Sequence, residues 1–130
     1  YGEPIPWPAS VPPDRTESGY RAALTEVLAT CRPTWTLGGL DCSEPPCIAA
    51  IWPTDARIDP PVDCPAWVSR YGTTAQSAAQ SVSCGGQGRR LILLSPSHLD
   101  PVPVAAVELE NRAKRIKTRW DELRHDAKCP

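Results

Sequence analysis

The sequence has neither methionine nor phenylalanine. An apolar interior must therefore be built from leucine, valine, isoleucine, alanine and five tryptophans. It has no long apolar run: nothing approaches the roughly 18 consecutive apolar residues of a spanning helix, so no transmembrane segment is expected in this chain. It has no excess of either charge. Lys and Arg number 14 against 15 Asp and Glu, a net charge of -1, which lacks the basic footprint of a dedicated nucleic-acid binder. It has no Cys-x-x-Cys pair, and its two histidines, His98 and His125, stand 27 positions apart with no cysteine at finger spacing. That pattern argues against zinc, and no metal or cofactor is expected.

What is present points to one domain. The chain has 130 residues, 41% hydrophobic and 22% charged, which is neither disordered nor large enough for two cores. Its six cysteines, Cys31, Cys42, Cys47, Cys64, Cys84 and Cys129, are an even set in a small domain. They read as a three-disulfide framework and place the chain in an oxidising compartment: periplasm, cell surface or medium. A chain that opens on Tyr1 and carries no methionine reads as a processed or trimmed product.

Proline, at 16 residues, punctuates the order of elements. Residues 1–13 hold five prolines around Ile5 and Trp7, an extended polyproline-like arm whose Trp7 packs into a groove of its own domain or of a partner. A helix follows, with Asp14 as cap, Glu17 at capping-box spacing, Tyr20, Leu24, Val27, Leu28 and Cys31 on one face, and Pro33 as stop. Residues 34–42 read as a strand in which Gly38 and Gly39 mark a bulge or a close backbone approach. Residues 47–52 are apolar on both faces and read as a central strand, joined to the first by the Ser43–Pro46 turn. Asp63 then caps a short helix with Pro65 in its first turn, Trp67 and Tyr71 on one face and Gly72 as stop. The second half of 74–83 reads as a strand ending at Cys84. The Gly85–Gly88 turn and a buried strand over 90–95 complete a second hairpin.

Helix, strand, strand, repeated once, predicts an α+β fold: an αββαββ four-stranded antiparallel sheet with helices on one face, stapled by disulfides, followed by a long C-terminal helix. The chain divides into an arm over 1–13, a core domain over 14–95, and a linker with the C-terminal helix over 96–130. Over residues 14–95 this element order resembles the circularly permuted ferredoxin-like domains of bacterial envelope assembly proteins, such as the periplasmic parts of type II secretion and type IV pilus platforms. The resemblance implies an interaction scaffold.

The layout suggests pairings for the cysteines. Cys42 and Cys47 flank a four-residue turn. In an αββ unit the helix starts at the end where the next strand finishes, which brings Cys64 near Cys84. Cys31 and Cys129 remain by elimination, and either clamp the last helix onto the first or leave Cys129 to pair between chains.

In the C-terminal segment Val102, Ala106, Leu109, Ala113, Ile116, Trp120, Leu123 and Ala127 recur at alternating spacings of four and three, a heptad seam. Such a helix lies along its own domain, with Trp120 in the core, or forms a coiled-coil seam. The flanking Arg112, Lys117, Arg119 and Arg124 repel in a parallel homodimer, so self-association through this helix is expected to be antiparallel, or its partner acidic. The basic stretch 112–119 reads as a solvated face, and His125 as a solvated or capping residue near the helix end.

No catalytic residue is expected. Ser95, Ser97, His98 and Asp100 sit together, but a triad converges from separate elements. Glu44 with Asp55 or Asp59 has the composition of an acid–base pair, which needs a cleft between its carboxylates. Residues 85–88 lack the Lys-Ser/Thr of a phosphate loop. The expected function is a secreted or periplasmic, disulfide-bonded, non-catalytic interaction or assembly subunit of the bacterial cell envelope that binds protein partners. Trp7, Leu109, Ile116, Trp120 and Leu123 are its expected contacts. The alternative is a secreted enzyme inhibitor or small hydrolase using the Ser43–Pro46 loop.

Overall fold

Pro12 and Pro13 cannot sit inside a helix, and they determine where the first one starts. In the computed structural model, which describes residues 3–54, 57–97 and 106–130, Pro13–Arg15 form a short 3-10 turn. Thr16 is extended and ends that turn. Its Oγ1 accepts the Gly19 N–H at 3.1 Å and caps helix α1 (Glu17–Cys31). The expected cap, Asp14, is consumed by the 3-10 turn instead. Gly19 is needed here because a Cβ would lie 1.8 Å from the Pro13 carbonyl oxygen.

The strands follow as β1 (Thr36–Asp41) and β2 (Ile48–Trp52), then helix α2 (Pro65–Tyr71), strands β3 (Ala75–Cys84) and β4 (Gln87–Pro96), and helix α3 (Ala106–Asp126). They form one antiparallel sheet in the order β1-β2-β4-β3. The predicted αββαββ order and the long last helix are both present. β3 occupies ten residues rather than the second half of its segment. Its turn is only Gly85 and Gly86, both at positive φ, a conformation that glycine adopts without steric cost. The cap of α2 is Cys64 and not Asp63; Cys64 O accepts from Trp67 and Val68, and no side chain caps the helix.

The sheet is covered on both sides. On one face Tyr20, Leu24 and Val27 of α1 and Trp67 and Tyr71 of α2 pack on Ala49, Ile51, Ile92 and Leu94. Tyr20 sits edge-on to Trp67 and Tyr71, and its hydroxyl donates to Leu94 O at 2.7 Å. On the other face α3 lays Leu123, with Ile116, Trp120 and Ala127, over Ile48, Ala50, Trp52, Leu91 and Leu93. This explains a β2 that is apolar throughout: both of its faces meet helices.

The Gly38–Gly39 signal is a bulge. Leu37 opposes Ile51 and Gly39 opposes Ala50, leaving Gly38 as the extra residue. Without it Leu37 and Leu40 would face opposite sides; with it both reach the α1 side. A Cβ on Gly38 would lie 2.4 Å from Trp52 Nε1.

All six cysteines are paired. Cys42–Cys47 closes the β1–β2 turn as expected. The other two pairs are Cys31–Cys64 and Cys84–Cys129, and this corrects the expected Cys64–Cys84 and Cys31–Cys129 bonds. The reason is face parity. Cys64 packs on the α1 side of the sheet, whereas Cys84, on the same face as Val82, points to the α3 side. Cys31–Cys64 therefore ties the end of α1 to the start of α2, and Cys84–Cys129 ties the end of β3 to the tail beyond α3. Trp52 Nε1 donates to Lys128 O at 2.8 Å and holds the same tail.

Candidate functional site

The β1–β2 turn is the polar centre of the molecule. Glu44, Pro45 and Pro46 are buried, and only Ser43 is exposed. Two arginines, one turn apart on α3, meet the turn. Arg115 Nε donates to Glu44 Oε1 at 2.9 Å. Arg119, 1% exposed, donates to Asp41 Oδ2 at 2.9 Å, Asp41 O at 3.2 Å, Pro46 O at 2.6 Å and Pro45 O at 3.4 Å. A guanidinium's fixed fork of donors suits this set of carbonyls and a carboxylate. Burial pushes the Asp41 carboxyl up, but hydrogen bonds from Arg119 and Ser43 outweigh it, and its pKa falls below the usual carboxylate range. The basic stretch 112–119 is thus not simply a solvated face: Arg115 and Arg119 point into the fold.

The N-terminal arm docks on the same turn. Glu3 N–H donates to Asn111 Oδ1 at 2.9 Å, and Asn111 Nδ2 donates back to Glu3 O at 3.1 Å. Ile5 N–H donates to Glu44 Oε2 at 2.7 Å. Trp7 is half-buried against the core, with its indole N–H on Cys42 O at 2.9 Å. The arm therefore meets its own domain at residues 3, 5 and 7, and Pro4 and Pro6, which have no N–H to give, fall between them.

Of the other expected contacts, Leu123 is buried on the sheet, and Ile116 and Trp120 are partly buried beside it. Leu109 is 52% exposed and Val107 74% exposed, on the first turns of α3. Ser95 is buried against Gln76, and Ser97 Oγ donates to Thr74 Oγ1 at 2.8 Å. His98, Asp100, Asp55 and Val102 lie outside the described residues. Asp59 is exposed and pairs with Arg32 and Arg57, away from the Glu44 junction. His125 is exposed near the end of α3. Among the described residues no group of three or more His, Cys, Asp or Glu is placed to hold a metal ion.

The surface that sequence reasoning missed is the outer edge of β3. Across a two-residue hairpin turn, the flanking residues exchange both backbone hydrogen bonds, and bonded pairs then alternate along the ladder. Cys84 opposite Gln87 is such a pair, followed by Val82–Arg89, Gln80–Leu91, Ala78–Leu93 and Gln76–Ser95. Ala75, Ser77, Ala79, Ser81 and Ser83 consequently aim their N–H and C=O groups away from β4. Among the described residues nothing pairs with that edge. No family model, curated protein or solved structure matches this chain.

The two edges of the sheet are built differently. β1 is six residues long, contains the bulge, carries Asp41 and lies under α3, where Leu123 meets Gly39. These features blunt an edge against further pairing. β3 has none of them: it is ten residues of unbroken register with no charge and no proline. A signal was present in the sequence. In a chain with 16 prolines and 29 charged residues (14 basic plus 15 acidic), residues 71–88 contain neither.

Proposed function

We propose that this chain is a secreted or periplasmic, disulfide-bonded interaction and assembly subunit of the bacterial cell envelope, and that it binds protein by strand addition along β3. The observation that carries this reading is the β3 edge, open among the described residues: a row of backbone donors and acceptors that none of them pairs with, on a strand without charge, proline or bulge. Three disulfides in 130 residues support an oxidising compartment, because such bonds do not persist among cytosolic thiols. The αββαββ order supports the envelope assignment, since it resembles scaffold domains of that compartment. No helix among the described residues is long and apolar enough to cross a membrane.

A photo-reactive side chain at Ser81, in the chain as expressed in its native cell, tests this. The expected result is a protein adduct from the envelope or medium that disappears when Ala79→Pro is added. The Ala79 N–H points away from β4, so this proline removes a donor to the partner and none from the hairpin. The chain recovered from that fraction should carry all six cysteines oxidised. Adducts that survive Ala79→Pro, or reduced cysteines in the cell, would refute the reading.

A further inference from the structure

We infer that the occupant of the β3 edge is a second copy of this chain, paired antiparallel so that Ala79 lies on the two-fold axis. This rests on strand addition as the mode of binding, and goes further by naming the partner and the register.

The register follows from the backbone. A two-fold perpendicular to the sheet keeps each residue on its own face, so the two position numbers of every cross-strand pair add up to an even number. Only Ala75, Ser77, Ala79, Ser81 and Ser83 have outward N–H and C=O groups. Centring the pair on Ala79 matches Ala75 with Ser83, Ser77 with Ser81, and Ala79 with itself, and uses every outward group for about ten hydrogen bonds. Sliding either way by one pleat repeat leaves some of them unmet. About ten direct hydrogen bonds is what a stable protein interface of standard size carries.

The side chains permit the same register. Ser77, Ala79, Ser81 and Ser83 are exposed on the α1 side of the sheet. In the pair they would meet only each other and Ala75, with no charge and no bulk to hold the backbones apart. On the α3 side Gln76 would stand opposite Val82 and Ala78 opposite Gln80, also uncharged. A strand that meets its own copy needs this self-complementarity, because any charged residue at the axis would face its own sign. The product is a continuous eight-stranded sheet, two copies of the four-stranded one, in which the open edges are gone and the guarded β1 edges lie outside.

Light scattering and sedimentation of the purified, oxidised full chain test the proposal. A concentration-dependent dimer is expected. Ala79→Pro removes both central bonds and should weaken it about 30-fold or more at unchanged thermal stability of the monomer. Ala79→Lys and Ala79→Glu should each be monomeric alone and dimeric when mixed, because residue 79 faces itself only in the centred register. The pairing is overturned by a chain that stays monomeric up to about 1 mM, a concentration at which even the weakest association is populated. It is also overturned by a dimer indifferent to Ala79→Pro, or by a Lys/Glu mixture no more dimeric than its parts. A monomeric chain whose Ser81 adducts to another protein still vanish with Ala79→Pro would end this inference and leave strand addition standing. Loss of both would end both.

Discussion

Replacing Arg119 by methionine keeps the length of the side chain and removes the guanidinium. In the native chain that group satisfies the Asp41 carboxylate and three turn carbonyls from a position 1% exposed to solvent. Removing one member of a buried pair costs about 3–5 kcal/mol, since the other is left uncompensated. Asp41 keeps one-fifth of its side chain in solvent and can recruit water, which moves the expectation to about 3 kcal/mol. For a domain of this size that is a fall in Tm of roughly 10–15 °C. Guanidinium unfolding with the disulfides intact measures it. Asp41→Asn alone should cost about 1–2 kcal/mol, and the double variant little more than Arg119→Met, a coupling of about 1–2 kcal/mol. The acid limb gives a second readout. The folded pKa of Asp41 lies below its unfolded value, so its contribution is present above about pH 4 and is lost as pH falls through the folded pKa. That limb should flatten in Arg119→Met. A loss under about 1 kcal/mol, or strict additivity in the cycle, would refute the view that α3 is clasped by its arginines.

Further outcomes follow from the packing. Gly38→Ala should destabilise by about 1–3 kcal/mol and shift Trp52 fluorescence, because the added methyl collides with the indole that holds Lys128 O. Cys84→Ser with Cys129→Ser opens a loop with a sequence separation of 45, and the chain-entropy relation gives a loss of about 4 kcal/mol, read by the same denaturant series. The phenols of Tyr20 and Tyr71 are pushed up, Tyr71 to about 12, in both cases mainly by burial. Their folded pKa values exceed the unfolded one, so the stability they lend is intact below about pH 10 and is lost as pH rises through the folded value. Ultraviolet titration should show both ionising only as near-ultraviolet dichroism collapses.

The sequence was most legible where local geometry decides the matter. Gly38–Gly39 announced a bulge or a close backbone approach, and both are found there; the all-apolar β2 announced a central strand, and Trp67, Tyr71 and Gly72 a short helix and its end. Capping was harder to read: Asp14 and Thr16 are both good caps, and the choice turned on whether Pro13 would open the helix or close a 3-10 turn before it. Cys42–Cys47 was legible from its turn, but the other two disulfide pairings failed for a tertiary reason. Element order along the sheet suggested Cys64–Cys84, but the face on which each sulfur stands depends on strand parity and on where α3 packs. Arg119 was legible only as a charge flanking a seam. Its burial depends on a ring of carbonyls brought together by the closed turn, which no spacing along α3 reveals. The β3 edge was missed because small polar residues resemble a loop until their register is known.

Helix α3 comes after every strand of the sheet, yet it supplies the only cover among the described residues for Ile48, Ala50, Trp52, Leu91 and Leu93. While the chain is being made, the sheet is therefore finished on one side and greasy on the other. A nascent chain at that stage invites aggregation and is a substrate for any chaperone that reads apolar sheet surface. The interval closes when residues 116–127 arrive. The Cys84–Cys129 bond then latches the cover from outside, so the last cysteine to be made is also the one that locks the second face shut.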